Sequence, residues 1–260
     1  MFEVPVDYVK IMNRRFFISS LAALPFIGTA RAGVPWKAQF LAGNFDGKAY
    51  SAGLYIKLEQ DWKTYWRNPG DAGVPPSITA EPNSNLGNIA VDFPLPTRIV
   101  DESGTAFGYH DEVLFPITLT PKDVGQPLSL HFSSFFGVCQ KVCTPAKFDA
   151  QLNFSPKSAP TAEAAMIDKW RSLVPVPGLI AESATVENGM LVLSKLNRVD
   201  DIFVEGPDQY YFGMPEFDAN AGVAFLKVAG LKNDADLKGV SLRLTSNVAE
   251  QGLEQRIIVA

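Results

Sequence analysis

Ala184-Thr185-Val186-Glu187-Asn188-Gly189-Met190-Leu191-Val192-Leu193 reads as two strands across a two-residue turn. Asn and Gly both tolerate positive φ, which a tight hairpin turn requires. The same pattern extends outward in both directions. Tyr50 to Leu58 alternates around Leu54, Ile56 and Leu58; Ile89 to Phe93, Val113 to Leu119, Leu128 to Phe136 and Phe148 to Phe154 read likewise. Asp201 to Glu205, Tyr210 to Phe212, Val223 to Val228, Val240 to Thr245 and Leu253 to Val259 continue the series. Turn signals stand between them at Asn68-Pro69-Gly70, Pro75-Pro76, Pro94-Leu95-Pro96 and Pro121-Lys122-Asp123. Short alternating strands at this spacing, each burying one face, specify an antiparallel sandwich or barrel.

One segment breaks the pattern. Thr161 to Leu173 places Ala164, Ile167, Trp170 and Leu173 at helical spacing, with Thr161 or Ser158 as the cap. Pro175, Pro177 and Gly178 stop it. The chain is therefore predicted to be all-β: a first sandwich over residues 33–158, a linker helix over 159–178 and a second sandwich over 179–260.

The composition is that of a folded protein, with 47% hydrophobic and 20% charged residues among 260. A net charge of −5 argues against nucleic acid as a partner, because phosphate binding needs a basic surface. Met12-Asn13-Arg14-Arg15, the apolar run Phe16 to Ala30 and the small-residue site Ala30-Arg31-Ala32 form the three-part plan of a secretory signal over residues 1–32. The apolar run is shorter than the roughly 20 residues of a bilayer span, and no later segment reaches that length, so no stable membrane insertion is expected. Arg14-Arg15 also fits a twin-arginine signal, so export by Sec or Tat into a bacterial periplasm is expected. Met12 is an alternative start to Met1.

Two cysteines and two histidines limit the metal chemistry. Four thiolate ligands are unavailable, and His110 and His131 are too far apart for a zinc finger. Cys139 and Cys143 follow the strand Leu128 to Phe136. Were that strand to continue, they would lie roughly 13 Å apart. A disulfide needs Cα atoms within about 7 Å, so the segment must turn between them, with Gly137 before and Pro145 after. Closing so short a loop contributes roughly 2 kcal/mol, against about 4.7 for a hundred-residue loop. A small staple of this kind is dispensable to a large core, which favours a redox role. A passive disulfide and a Cu(I) site completed by His110 stay open as alternatives. No catalytic motif for hydrolysis or phosphate binding is present, and no cofactor is called for. Trp62, Tyr65 and Trp66 read as core or sandwich edge. Tyr65-Trp66-Arg67 also has the composition of a recognition surface.

Asp61-Trp62-Lys63-Thr64-Tyr65-Trp66-Arg67-Asn68-Pro69-Gly70-Asp71-Ala72-Gly73 resembles a segment of the N-terminal periplasmic domains of DsbD and ScsB-type proteins. Phe93-Pro94-Leu95-Pro96, then Gly108-Tyr109-His110-Asp111-Glu112-Val113-Leu114-Phe115-Pro116, then Cys139-x3-Cys143-Thr144-Pro145 match in the same order. The resemblance covers about Gly33 to Phe154, and more loosely the second half. It implies immunoglobulin-like sandwiches and a redox domain that passes electrons through its cysteine pair to oxidised envelope proteins. By position, Cys143 matches the cysteine that forms the mixed disulfide, and Cys139 the resolving one. The implied partners are thioredoxin-like periplasmic proteins and a membrane electron donor of the DsbD/CcdA type. A cap loop is implied at Asp101 to Tyr109, with Phe107 as the capping aromatic and Tyr109, Tyr65 and Trp66 as cap or partner contacts. The x3 spacing follows ScsB rather than the x5 of DsbD. No membrane or thioredoxin-like domain follows the second sandwich, so separate proteins are expected to supply the electrons.

Overall fold

The computed structural model describes residues 33–70, 73–102, 104–156, 161–197, 199–248 and 251–260; the signal read over residues 1–32 lies outside them. The described chain is all-β, in two immunoglobulin-like sandwiches with a short helix between them in sequence. In the first sandwich, one sheet runs in the order Trp36–Phe45, Tyr50–Leu58, Glu112–Pro121, Leu86–Val91. The facing sheet runs Cys143–Phe154, Leu128–Cys139, Lys63–Gly70, Gly104–His110, Thr97–Asp101, with Ser77–Ala80 also paired to Leu128–Cys139. The core between them holds Tyr50, Leu54, Ile56, Trp66, Phe115, Ile117, Phe132 and Phe136. The second sandwich pairs Val176–Pro177, Gln251–Ile258, Ser241–Val248, Ile202–Glu205 in one sheet and Ser183–Glu187, Met190–Ser194, Val223–Ala229, Tyr211–Asp218 in the other.

The Asn188-Gly189 turn forms as read, with φ of 52° and 76°, and the Asp234 carboxylate accepts from both backbone N–H groups. Other segments differ from the sequence reading. Asn68-Pro69-Gly70 is not a turn but the end of the strand Lys63–Gly70. A register shift between Tyr65 and Gly70 absorbs the proline, which offers no N–H to a regular ladder. Asp101 to Tyr109 is not a loop: Thr97–Asp101 and Gly104–His110 pair as an antiparallel hairpin. Cys143–Phe154 begins at the second cysteine, five residues before the alternation becomes visible in the sequence.

The helix, Ala162–Arg171, is capped by the Thr161 hydroxyl, which accepts from the Ala164 N–H at 3.1 Å. It does not hang between the sandwiches. Ile167 packs on Leu41 and Leu114 of the first, and Arg171 donates to Asp92 at 2.8 Å. No described helix is long and apolar enough to cross a membrane.

Two arginines of the first sandwich reach the second. Arg67 donates to Glu205 at 2.7 Å and to Glu254 at 2.6 Å, with its guanidinium 4.3 Å above the Trp66 ring. Arg98 grips both oxygens of Asp201 at 2.9 Å and the Ile202 carbonyl at 3.0 Å. Between them Phe203 enters the first core, 5.1 Å from Phe107 and 5.8 Å from Trp66.

Candidate functional site

Leu128–Cys139 begins as an alternating strand, with Leu128, Leu130 and Phe132 in the core and Ser129 and His131 exposed. From Phe136 to Cys139 every residue is buried. A strand loses its alternation when both faces are covered. What covers the outer face here is Tyr65.

The two cysteines face each other across the hairpin, Cys143 paired with Cys139, with Gln140, Lys141 and Val142 as the connection. Their Cα atoms lie 4.2 Å apart and the sulfurs are bonded. The turn demanded by the spacing is this hairpin. The two sulfurs are unlike in access. Cys139 is 1% exposed, packed with Tyr65, Ile99 and Ala106. Cys143 is exposed at the mouth of the hairpin.

Lys63–Gly70 lies beside this hairpin, with Lys63 directly opposite Cys139. Two residues on, Tyr65 shares that face. Its hydroxyl stands 2.8 Å from Cys139 Sγ and 3.1 Å from Cys143 Sγ. The ring is 1% exposed. It fits because its neighbours lack side chains. A Cβ on Gly137 would stand 3.0 Å from the ring, and one on Gly73 would stand 2.6 Å from it. Burial, and then the negative charge of Asp101, raise the phenol above its ordinary range, so the hydroxyl keeps its proton at neutral pH. Gly73→Ala is accordingly expected to destabilise the fold by about 1–3 kcal/mol through overpacking. Urea unfolding reads this as a lower midpoint at unchanged slope; an unchanged midpoint would show that the ring moves aside freely.

Lys63 is buried at 3% exposure and its ammonium pairs with the Asp101 carboxylate. Asp101 and Glu102, at the tip of the neighbouring hairpin, line a cleft of about 520 Å³ with Gln140 and Lys141. Among the described residues, Asp101 and Glu102 therefore share one cleft with the loop between the cysteines. Glu112 lies on the other sheet and accepts from the Tyr55 hydroxyl at 2.5 Å. Lys147 pairs with Phe135, four residues up the strand from Cys143. His110 is exposed, its Nδ1 3.3 Å from the Trp62 carbonyl, and Lys63 lies between its strand position and that of Cys139.

The structure places three of the expected cap or partner residues in the core, away from the sulfurs. On Gly104–His110 side chains alternate, so Ala106 joins the Cys139 cluster while Phe107 turns into the core against Phe203. Tyr109 is also in the core, its hydroxyl donating to the Pro94 carbonyl at 2.7 Å. Trp66 is fully buried. Only Tyr65 of the four touches the sulfurs among the described contacts. Lys63, Asp101 and Gly73 are the site residues that spacing alone did not single out. Their signal is register, because Cys139 and Lys63 must first be known to pair.

Residues 33–154 match the family model described as thiol:disulfide interchange protein DsbD, N-terminal. Among solved structures, the N-terminal periplasmic domain of ScsB from Proteus mirabilis aligns with a TM-score of 0.71 at 22% identity, covering 89% of this chain and 96% of that one. That alignment extends through both sandwiches. The N-terminal domain of Neisseria meningitidis DsbD in the reduced form aligns at 16% identity and a TM-score of 0.29, covering 45% of this chain and 83% of that one. No curated protein matches the chain in sequence.

Proposed function

We propose that this chain, whose residues 33–154 match the DsbD N-terminal family model, relays electrons in the bacterial periplasm by thiol–disulfide exchange at Cys139 and Cys143. The observation that carries the reading is the unequal access of two bonded sulfurs: Cys143 exposed, Cys139 at 1%. A structural bond has no need of this asymmetry; an exchanging bond does, because it fixes which sulfur a partner can attack. A partner thiolate attacks Cys143 Sγ along the bond, Cys139 leaves as a thiolate, and a mixed disulfide forms. The partner's second thiolate then attacks its own sulfur, releasing the reduced pair. Two electrons have passed from the partner dithiol to this chain. The same steps in reverse deliver them to an oxidised envelope protein.

Val142 is 74% exposed and Val74 36%, and Pro145 beside Cys143 is exposed as well. An apolar rim around the attackable sulfur supports docking of another protein. The partners we propose are thioredoxin-like proteins, with a membrane donor of the DsbD/CcdA type as the electron source. Export by the signal over residues 1–32 would bring the chain to them.

Thiol trapping in glutathione buffers tests the reading. A reduction potential between roughly −270 and −120 mV is expected, the range spanned by thioredoxin and DsbA. A value below about −300 mV would mark a resistant structural bond and overturn the proposal.

A further inference from the structure

We propose that Tyr65 is the hydrogen-bond donor that stabilises the buried Cys139 sulfur as the disulfide opens. The inference rests on the exchange reading above and assigns it a further catalytic residue. The Tyr65 hydroxyl already stands 2.8 Å from Cys139 Sγ and 3.1 Å from Cys143 Sγ, within reach of either sulfur without moving. Its ring is fixed by the close approach of Gly73 and Gly137. Reactive thiolates are commonly served by a helix N-terminus or a nearby cation. Here the buried cation beside Cys139, the Lys63 ammonium, is engaged by Asp101.

In the first step the entering sulfur bonds to Cys143 Sγ. The Cys139–Cys143 bond breaks, and both its electrons stay on Cys139 Sγ. That sulfur becomes an anion in a position 1% exposed, where an unsolvated charge is costly. A fixed O–H aimed at the developing charge offsets this without reorganisation. The phenol proton stays on Tyr65 Oη, because burial and the Asp101 charge hold the phenol above its ordinary range. In the second step Cys143 leaves as a thiolate into solvent, which protonates it. In the delivering direction the same bond favours the Cys139 thiolate and so readies it to resolve the mixed disulfide. Of the other charged groups, Lys63 lies opposite Cys139 and pairs with Asp101, and Glu102 and Lys141 line a cleft with Asp101.

Tyr65→Phe in the full chain keeps the ring and removes the donor. Reduction of the disulfide by dithiothreitol is expected to slow about tenfold, the worth of one hydrogen bond to a charged group. Thiolate absorbance of the reduced Cys143→Ser background should show Cys139 holding its proton about tenfold more tightly once Tyr65 is also Phe. A tyrosine that only fills space would leave both quantities within about twofold while shifting thermal stability; that result overturns the inference. If the wild-type bond itself resists dithiothreitol, the exchange reading falls and this inference with it. If wild type exchanges and Tyr65→Phe keeps pace, only the role of Tyr65 falls. Should the variant not fold, ring-labelled tyrosine in the reduced wild-type chain decides. One buried phenol resonance is expected to follow the thiol titration; no such movement overturns the inference.

Discussion

Cys139→Ser leaves a reactive thiol and Cys143→Ser leaves a sheltered one. With an aromatic disulfide reagent, Cys143 in the first variant is expected to react like an open thiol. Cys139 in the second should react on the order of a hundredfold more slowly, because the reagent must wait for a local opening of the hairpin. Both variants lose exchange completely, since each lacks one half of the pair. Only Cys139→Ser should accumulate a mixed disulfide with a partner, as nothing remains to resolve it. Both should fold, because closing so short a loop contributes only roughly 2 kcal/mol against the unfolded chain. Equal labelling rates would remove the access argument, and with it the assignment of Cys143 as the sulfur that meets the partner.

Arg67→Ala is expected to give the largest loss of stability. Its guanidinium holds Glu205 and Glu254 together, and the three side chains are only 19%, 20% and 30% exposed. Removing the cation leaves two carboxylates side by side in a partly dry interface, and strips the cation from above the Trp66 ring. Breaking such a set from one side costs about 3–5 kcal/mol when fully buried, and the residual exposure here places the loss near the lower end, about 3 kcal/mol. Urea unfolding would show the midpoint falling accordingly. Replacing Arg67, Glu205 and Glu254 together by apolar residues of similar size should recover most of the loss, since burying the ions was itself unfavourable. An Arg67→Ala midpoint equal to wild type would mean that the clamp contributes nothing net.

What could be read from the sequence was local. Asn188-Gly189 specified its turn through backbone preference, and Leu128 to Phe136 specified a half-buried strand through its period of two. The cysteine spacing required a reversal, and the hairpin supplies it. Reading failed where a second layer covers the outer face. Trp36–Phe45 shows no clean alternation because Phe40 faces the core while Leu41, next to it, lies under the helix. Lys63–Gly70 was hidden by Asn68-Pro69-Gly70, which has turn chemistry but sits in a register shift. The site was legible in its sulfurs and not in their surroundings. Tyr65 and Cys139 are 74 positions apart, and only the pairing of Lys63 with Cys139 brings them together. Tyr65 and Trp66 read as core or sandwich edge, with Tyr65-Trp66-Arg67 as a recognition surface the alternative. The fold divides it three ways: Tyr65 to the sulfurs, Trp66 to the core and Arg67 to the second sandwich.

The hairpin that carries the cysteines also bears on how long a partner stays attached. Residues 139 and 143 stand 4.2 Å apart at the end of a continuous ladder of backbone pairing that runs on to Leu128 and Phe154. When Cys143 is joined to another protein, Cys139 is therefore already at striking distance, and its attack is intramolecular with a high effective concentration. The covalent complex is then a brief tether whose lifetime is set by chemistry rather than by the strength of the surrounding contacts. A carrier built this way can serve several clients in turn with a small docking rim, because it never has to hold any of them for long.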